Sequence, residues 1–525
     1  MYKISQLKLP VDFDENNLQK YISKKIKVDE LQIRNAKLLK LSIDARDKLD
    51  LCYKATIAFE SSVRIDLKKL KNVEQYESSE NVCPSWTGKK KNIVIVGSGP
   101  SGLFAGLRLV ESGASVTILE RGYDIPKRKQ AVERLMKDGV LDETSNIQFG
   151  EGGAGTFSDG KLNTGIKSPH IEYVLQSFHK FGASENILYD ARPHIGTDVL
   201  SSVIVSMRKY LQERDCNVLF EHKFVGFECN GGSVSKVVAE SPRGKAFFDC
   251  DVLILAIGHS SRDTIRWLYD NNIQFVQKPF SLGYRIEHLQ SDINKGQYGV
   301  SEDAKKLPPA DYHLVEKLSN GRVVYSFCMC PGGVVVPAMS ECGSFVTNGM
   351  SYNARDGVNA NSALLVNVNT TDFPSIHPLS GIELQEKWER FAYKKVEDVS
   401  AVVQRVGDFL QGKPTKTIGK VVPSITPKFT IGSVEDMLPK FVVDSIKEAI
   451  PKLDKKLKGF ADEDAILTGI ETRSSAPYQV VRNVDMMTGV GGVYMIGEGA
   501  GFAGGIVSSA VEGIKCADII IKKNN

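Results

Sequence analysis

One stretch, residues 92–120, constrains this chain more than any other. Asn92–Val96 (NIVIV) is a short unbroken apolar run, the pattern of a strand buried on both faces. Gly97-Ser98-Gly99-Pro100-Ser101-Gly102 follows at once, and Leu103–Glu111 continues at helical spacing with Leu103, Leu107 and Val110 on one side. Val116–Leu119 reads as the next strand, and it ends at Glu120. A strand, a GxGxxG turn, a helix and a strand closed by an acidic residue form the dinucleotide-binding fingerprint. Gly97 permits the tight turn, Gly99 lets the backbone approach a pyrophosphate, and Gly102 lets helix and strand pack closely. The helix N-terminus that begins at Pro100 and Ser101 offers free N–H groups, from Ser101 onward, and a partial positive charge to phosphates. Glu120 is placed to accept hydrogen bonds from ribose hydroxyls.

The fingerprint alone does not separate one dinucleotide from another. Two later segments do. Asp251–Gly258 (DVLILAIG) is a second buried strand, ending in Ala256-Ile257-Gly258. Gly492–Gly505 (GVYMIGEGAGFAGG) is a strand and glycine-rich turn that opens a helix over Ile506–Ile521. With the fingerprint, these resemble the large FAD-binding superfamily that includes glutathione reductase and p-hydroxybenzoate hydroxylase. That resemblance implies FAD, with its ADP half on Gly97–Gly102 and Glu120. It implies a strand-end contact at Ala256 and Gly258, with Ile257 where threonine is usual. A C-terminal segment of Gly497, Glu498, Gly504, Gly505 and Ile506 would reach the ribityl chain, with Glu498 where aspartate is usual. Arg121 and Val225 belong to the same expected cofactor set.

The resemblance narrows further. FGEGGAGTFSDGKLNTG (149–165), RPHIGTD (192–198), FCMCPGG (327–333) and GEGAGFAGGI (497–506) are similar to a poorly characterised family of FAD-dependent dehydrogenases. Ser42-Ile43-Asp44-Ala45-Arg46 resembles a motif of that family's small N-terminal domain. The implied fold is α/β: a Rossmann-like FAD-binding domain with a parallel sheet in three layers, an inserted β-rich α+β substrate domain, and a small N-terminal α/β domain. The divisions expected are 1–72, a linker over 73–90, 91–265 and 465–525 for the FAD-binding domain, and 266–464 for the insertion. Within 1–72, Tyr2–Leu9, Ala36–Ile43 and Leu51–Phe59 read as strands, the last two as an antiparallel pair, and Asn16–Ile26 as a helix. No second strand–GxGxxG–helix unit lies between 160 and 480, so NAD(P)H as an electron donor would bind without a Rossmann unit of its own.

The richest candidate loop is 149–164. Gly150, Gly152, Gly153 and Gly155 let backbone amides turn toward an anion, and Thr156 and Ser158 add hydroxyl donors. Lys161 is a candidate for placing a positive charge near the flavin, against the alternative of a solvated surface pair with Asp159. Strand alternation over Arg322–Met329 puts Cys328 and Cys330 on one face, as a flavin-facing thiol pair or as two small buried side chains. His194 is a candidate proton donor, His259 a neighbour of the adenosine half, and Arg473 a partner for an anionic substrate or the flavin. No CxxC, HxxxH or GxSxG pattern is present, which argues against a metal site and a hydrolase elbow.

Charge separates the first unit from the rest. Residues 1–90 carry 18 Lys and Arg against 13 Asp and Glu, while the whole chain nets only +4. That excess is too small and too poor in interleaved aromatics to favour nucleic acid. No leader or spanning run is visible, and nine scattered cysteines fit reduced thiols in the cytoplasm. The function expected is an FAD-dependent oxidoreductase moving hydride between a small organic substrate and the flavin. The rivals are an FAD-dependent RNA-modifying enzyme and a non-catalytic flavin-binding redox sensor. Oligomeric state is left open.

Overall fold

The apolar runs of the fingerprint become central strands. In the computed structural model, which describes residues 1–77, 81–396 and 398–525, Ile93–Val96 lies between Val116–Leu119 and Val252–Leu255. Asn217–Leu219 and Val493–Met495 complete a five-stranded, all-parallel sheet at its two edges. Alternation along the strands sorts them between two faces. Ile93 and Ile95 pack with the helices Pro100–Ser112 and Ile506–Asn524. Val94 and Val96 pack with an antiparallel meander, Lys223–Asn230, Ser233–Ser241 and Gly244–Asp249. Helices, parallel sheet and meander are the three layers of this part of the molecule.

A second, seven-stranded sheet holds the larger core. Its spatial order is Val315–Lys317, Val323–Cys330, Asn359–Val368, Phe280–Leu289, Ile466–Glu471, Ser400–Arg405 and Lys428–Ile431. All pairs are antiparallel except the last. The expected boundary at 464/465 is corrected here. Ile466–Glu471 pairs with Phe280–Leu289 and Ser400–Arg405, and the chain rejoins the parallel sheet only at Val493–Met495. The strand is buried along its whole length, so its own pattern reads alike for either sheet, and only its distant partners decide.

The N-terminal sheet runs Ile33–Asp44, Cys52–Ser61, Tyr2–Leu9, Val73–Gln75, with Leu18, Ile22 and Ile26 of the helix Leu18–Ile26 in its core. Val73–Gln75, expected within the linker, pairs with Tyr2–Ile4. A three-residue edge strand is too short to show a period. Residues 78–80 of that expected linker lie outside the described residues. Its later part lies on the body: Trp86 N–H donates to Ser112 O at 2.8 Å, and Arg108 Nη2 to Val82 O at 3.0 Å. The N-terminal unit is tied down too, since Leu41 exchanges backbone hydrogen bonds with Tyr189 and Ala191. Among the described residues, no helix is long and apolar enough to cross a membrane.

Candidate functional site

A cleft of about 960 Å³ is walled on one side by the ends of the parallel strands and on the other by the seven-stranded sheet. Gly97, at φ 101°, makes the turn; a Cβ there would sit 2.3 Å from Ala256 O. Gly99 is different. A Cβ on it would meet nothing nearer than Gly153 Cα at 3.8 Å, so its smallness serves the cleft rather than the packing.

The second glycine loop is zipped to the first. Gly152 N–H donates to Ser98 O at 3.0 Å, and Gly150 N–H to Glu120 Oε1 at 3.1 Å. Glu120 also accepts from Gly122 N at 2.9 Å, Ser98 N at 2.9 Å and Ser98 Oγ at 2.7 Å. The carboxylate thus joins both loops, and a ribose hydroxyl would have to share these acceptors. The amides of Gly150, Gly152 and Gly153 are engaged by protein, which differs from the expectation of amides free for an anion. The hydroxyls of Thr156 and Ser158 likewise donate within the loop, to Glu151 O and Gly155 O.

Behind this loop lies Arg128, which sequence reasoning missed. It is fully buried, and all its bonds go to backbone carbonyls: Asn146 O (2.9 Å), Ile147 O (3.0 Å), Gly150 O (3.2 Å), Glu151 O (2.6 Å) and Gly153 O (2.9 Å). Burial lowers its pKa to about 10, with Glu120 and Glu151 pulling the other way. The one available signal is positional. Arg128 occupies the buried stripe of helix Ile125–Asp138, beside Ile125, Ala131, Val132 and Leu135, where an apolar residue is the rule.

The facing wall is set by buried ion pairs. Arg285 is bidentate on Glu471 (2.9 and 3.1 Å) and donates to Cys328 O at 2.9 Å and Asn348 Oδ1 at 2.8 Å. Glu389, fully buried, holds both Arg262 (2.8 and 2.9 Å) and Arg473 (2.7 and 3.1 Å). Burial pushes the Glu389 carboxyl up, but the two guanidiniums outweigh it and hold the group well below the usual carboxylate range. Arg473 lines the cleft, but its guanidinium is already hydrogen-bonded to Glu389, which it shares with Arg262. Long sequence separation hides such pairs from any pattern.

Cys328 and Cys330 both line the cleft, but regular alternation does not relate them. The strand bulges between Phe327 and Cys330, and Cys328 takes φ 44°. Cys328 is exposed at the cleft, while Cys330 is buried with its thiol donating to Cys328 O. Burial pushes the Cys330 thiol up to about 12, and the protein walls around the cleft raise Cys328 too, against the pull of Arg285 and Lys161.

Lys161 lines the cleft, but Asp159 is no surface partner: it is buried and bonded to Arg355 and Ser351. His194 lies off the cleft lining, against Asn353 O at 3.1 Å, and burial together with Arg355 lowers its pKa. His259 lines the cleft with Nδ1 3.2 Å from Glu498 Oε2, and its buried Nε2 has no partner among the described residues. Of the expected cofactor set, Gly97, Gly99, Pro100, Ser101, Glu120, Arg121, Gly153, Ser158, Ala256, Gly258, Glu498, Gly504, Gly505 and Ile506 reach the lining. Gly102, Gly152, Thr156, Val225 and Gly497 stand behind it.

This cleft can be set beside known proteins. Residues 279–474 match the family described as FAD-dependent protein, C-terminal domain-like, and residues 1–60 match a domain of unknown function. An uncharacterised protein of Clostridium beijerinckii is 44% identical over 537 residues, covering 99% of this chain and 98% of the relative. The chain belongs to this family of FAD-dependent proteins. Solved structures with a partial likeness include the flavin-dependent brominase Bmp2 (12% identity, TM-score 0.37, 83% of this chain and 80% of that one). A flavoprotein/dehydrogenase from Cytophaga hutchinsonii gives 12% identity and a TM-score of 0.34, over 83% and 80% of the two chains. The family match makes FAD the cofactor against which the cleft is judged. The open face of Gly99, the glycine turn and the unpartnered His259 Nε2 fit it.

Proposed function

We propose that this chain is an FAD-dependent oxidoreductase that moves hydride between a small organic substrate and the flavin. The observation that supports it is the continuity of the cleft. One cavity runs from Gly97, Gly99 and Ala256–Gly258 to Tyr325–Cys330 of the sheet that carries the family match. A cofactor held at the first end leaves its reactive end exposed to a substrate held at the second.

The residues divide the work. Gly97, Gly99, Pro100 and Ser101 would hold the diphosphate, where the helix start favours anionic oxygens. Glu120, Ala256 and Gly258 would bound the adenosine side. Glu498, His259, Gly504 and Gly505 would bound the rest of the cofactor. When bound, FAD supplies the two-electron chemistry that no side chain can. The protein supplies walls that exclude water, fixed charges, and a rigid frame through Arg285–Glu471 and Arg262–Glu389–Arg473. The division of the chain into an appended unit, a two-part FAD domain and an inserted substrate domain belongs to the same proposal.

Anaerobic stopped-flow mixing tests it. FAD-loaded protein is mixed with NADH, NADPH and panels of alcohols, amines and enoyl compounds. Bleaching of the flavin band by at least one donor, faster than in free FAD, is the expected result. A flavin that none of them reduces, and that no acceptor reoxidises faster than free reduced FAD, would leave the redox reading without support.

A further inference from the structure

Four cationic side chains line the cleft: Arg121, Lys161, Arg192 and Arg473. Three are hydrogen-bonded to carboxylates, Arg121 to Asp263, Arg192 to Asp311 and Arg473 to Glu389. Lys161 is not. Among the described residues its Nζ makes no hydrogen bond, and the carboxylate oxygen paired with it, Asp159 Oδ2, is 3.7 Å away. That carboxylate already accepts from Arg355 Nε at 3.2 Å, from Arg355 Nη2 and from Ser351 Oγ. Arg355 and Lys161 therefore share one carboxylate, and Lys161 has the looser hold on it.

The lysine is held in place. Its backbone bridges to His194, and Leu162 N–H donates to Pro193 O at 2.8 Å. Its side chain keeps only 23% of its exposure, and its ammonium has no hydrogen-bond acceptor among the described residues. Lys161 lines the same cleft as residues Tyr325–Cys330 of the strand Val323–Cys330. The same cleft has aromatic lining: Tyr312, Tyr325 and Phe327. Both tyrosine hydroxyls are engaged away from the cavity, Tyr312 with Ser362 at 2.9 Å and Tyr325 with Ser281 at 2.8 Å. The rings are left as apolar surface.

An under-bonded ammonium in one cleft with apolar rings complements an anion on an apolar skeleton. We propose that Lys161 anchors the carboxylate of an organic-acid substrate whose unsaturated or aromatic body lies against Tyr325 and Phe327. This rests on the oxidoreductase reading of the same cleft and names its substrate class. The other use of the charge, as a partner for the reduced flavin itself, is an outcome of the test.

FAD-loaded protein is titrated with benzoate, cinnamate and pyruvate, and with benzamide and cinnamamide as neutral counterparts, following the flavin absorbance. The expected result is saturable perturbation by at least one carboxylate, with its amide at least about tenfold weaker. Lys161→Met should weaken that carboxylate by about 30-fold, the size of one lost charge-assisted hydrogen bond, and Lys161→Arg should recover part of it. FAD affinity should stay within about threefold of wild type in both variants. Carboxylates that bind Lys161→Met as well as wild type would overturn the proposal. So would a wild-type holoprotein that none of the carboxylates perturbs, or a Lys161→Met variant that shifts the flavin reduction potential while carboxylate binding is intact. A holoprotein that binds carboxylates through Lys161 but never exchanges electrons would uphold the anchor and sink the oxidoreductase reading.

Discussion

Arg128→Met removes the group that shapes the second glycine loop, and its effect can be worked from the contacts. Arg128 donates to five carbonyls over residues 146–153, while Gly150 and Gly152 of that loop donate forward to Glu120 and Ser98. Methionine fills much of the aliphatic volume but offers no donor. Charge-assisted hydrogen bonds contribute about 1.5–3 kcal/mol each, and bonds sharing one guanidinium are not additive. Against them stands the cost of keeping a guanidinium dry with no carboxylate in contact, the same cost that lowers its pKa. A net of about 3 kcal/mol for holding the loop in shape is the balance of these terms. If FAD binds only the ordered loop, its Kd should rise by about 100-fold. The assay is titration of the apo-protein with FAD, followed by quenching of flavin fluorescence, with circular dichroism confirming that the variant is folded. Arg128→Lys keeps the charge without the fork and should fall between the two. A folded Arg128→Met protein that binds FAD within about threefold of wild type would refute the reasoning.

Thiol labelling and acid titration test other parts of the structure. Iodoacetamide near neutral pH should label the exposed Cys229, Cys328 and Cys342 first and leave Cys216, Cys250 and Cys330 unmodified, since burial pushes those three thiols to about 12. Excess FAD should slow labelling of Cys328 without slowing Cys229, as peptide mass spectrometry would show; equal protection of both would contradict the cleft as drawn. Glu389→Gln should destabilise the protein at neutral pH, because it strips the shared carboxylate from two buried arginines. The folded-state pKa of Glu389 is depressed, so its contribution is complete above its unfolded value and is lost as pH falls toward the folded one. The gap in chemical-denaturation midpoint between wild type and Glu389→Gln should therefore hold steady from neutral pH down to about pH 5 and narrow below it. A gap that widens on acidification would show the ionised form is not the stabilising one.

The fingerprint sheet was legible because its information is local. An apolar tetrad, a glycine turn and a helix sit side by side in sequence, and each part of the pattern has one structural reading. The N-terminal pair of long strands and its amphipathic helix were legible for the same reason. Ile466–Glu471 was misplaced because a strand buried throughout carries no periodic mark of its sheet. The bulge at Cys328 was invisible because nothing in FCMC departs from strand composition, while Arg285, 43 residues away, holds the Cys328 carbonyl. The lining glycines were found from spacing, but the partners of their amides were not. Those partners, Glu120 and Ser98, are charged and polar groups that meet the loop only in three dimensions. Lys161 and Arg473 were both singled out as cations. What separates them is the company each keeps: Arg473 is hydrogen-bonded to Glu389 at 2.7 Å, while Lys161 stands 3.7 Å from a carboxylate that Arg355 already holds.

The claim that carries the rest is that the fingerprint cleft holds FAD. Flavin content per chain, measured on wild type and on Gly99→Ala after reconstitution, tests it directly. A Cβ on Gly99 would touch no protein atom closer than 3.8 Å, so the variant should fold as wild type does, yet it would stand where the cofactor's backbone approach is needed. The expected result is one FAD per wild-type chain with a visible flavin band, and little or none in Gly99→Ala at the same thermal stability. A wild-type protein that stays colourless after reconstitution, or a Gly99→Ala variant that binds FAD as tightly as wild type, would contradict it.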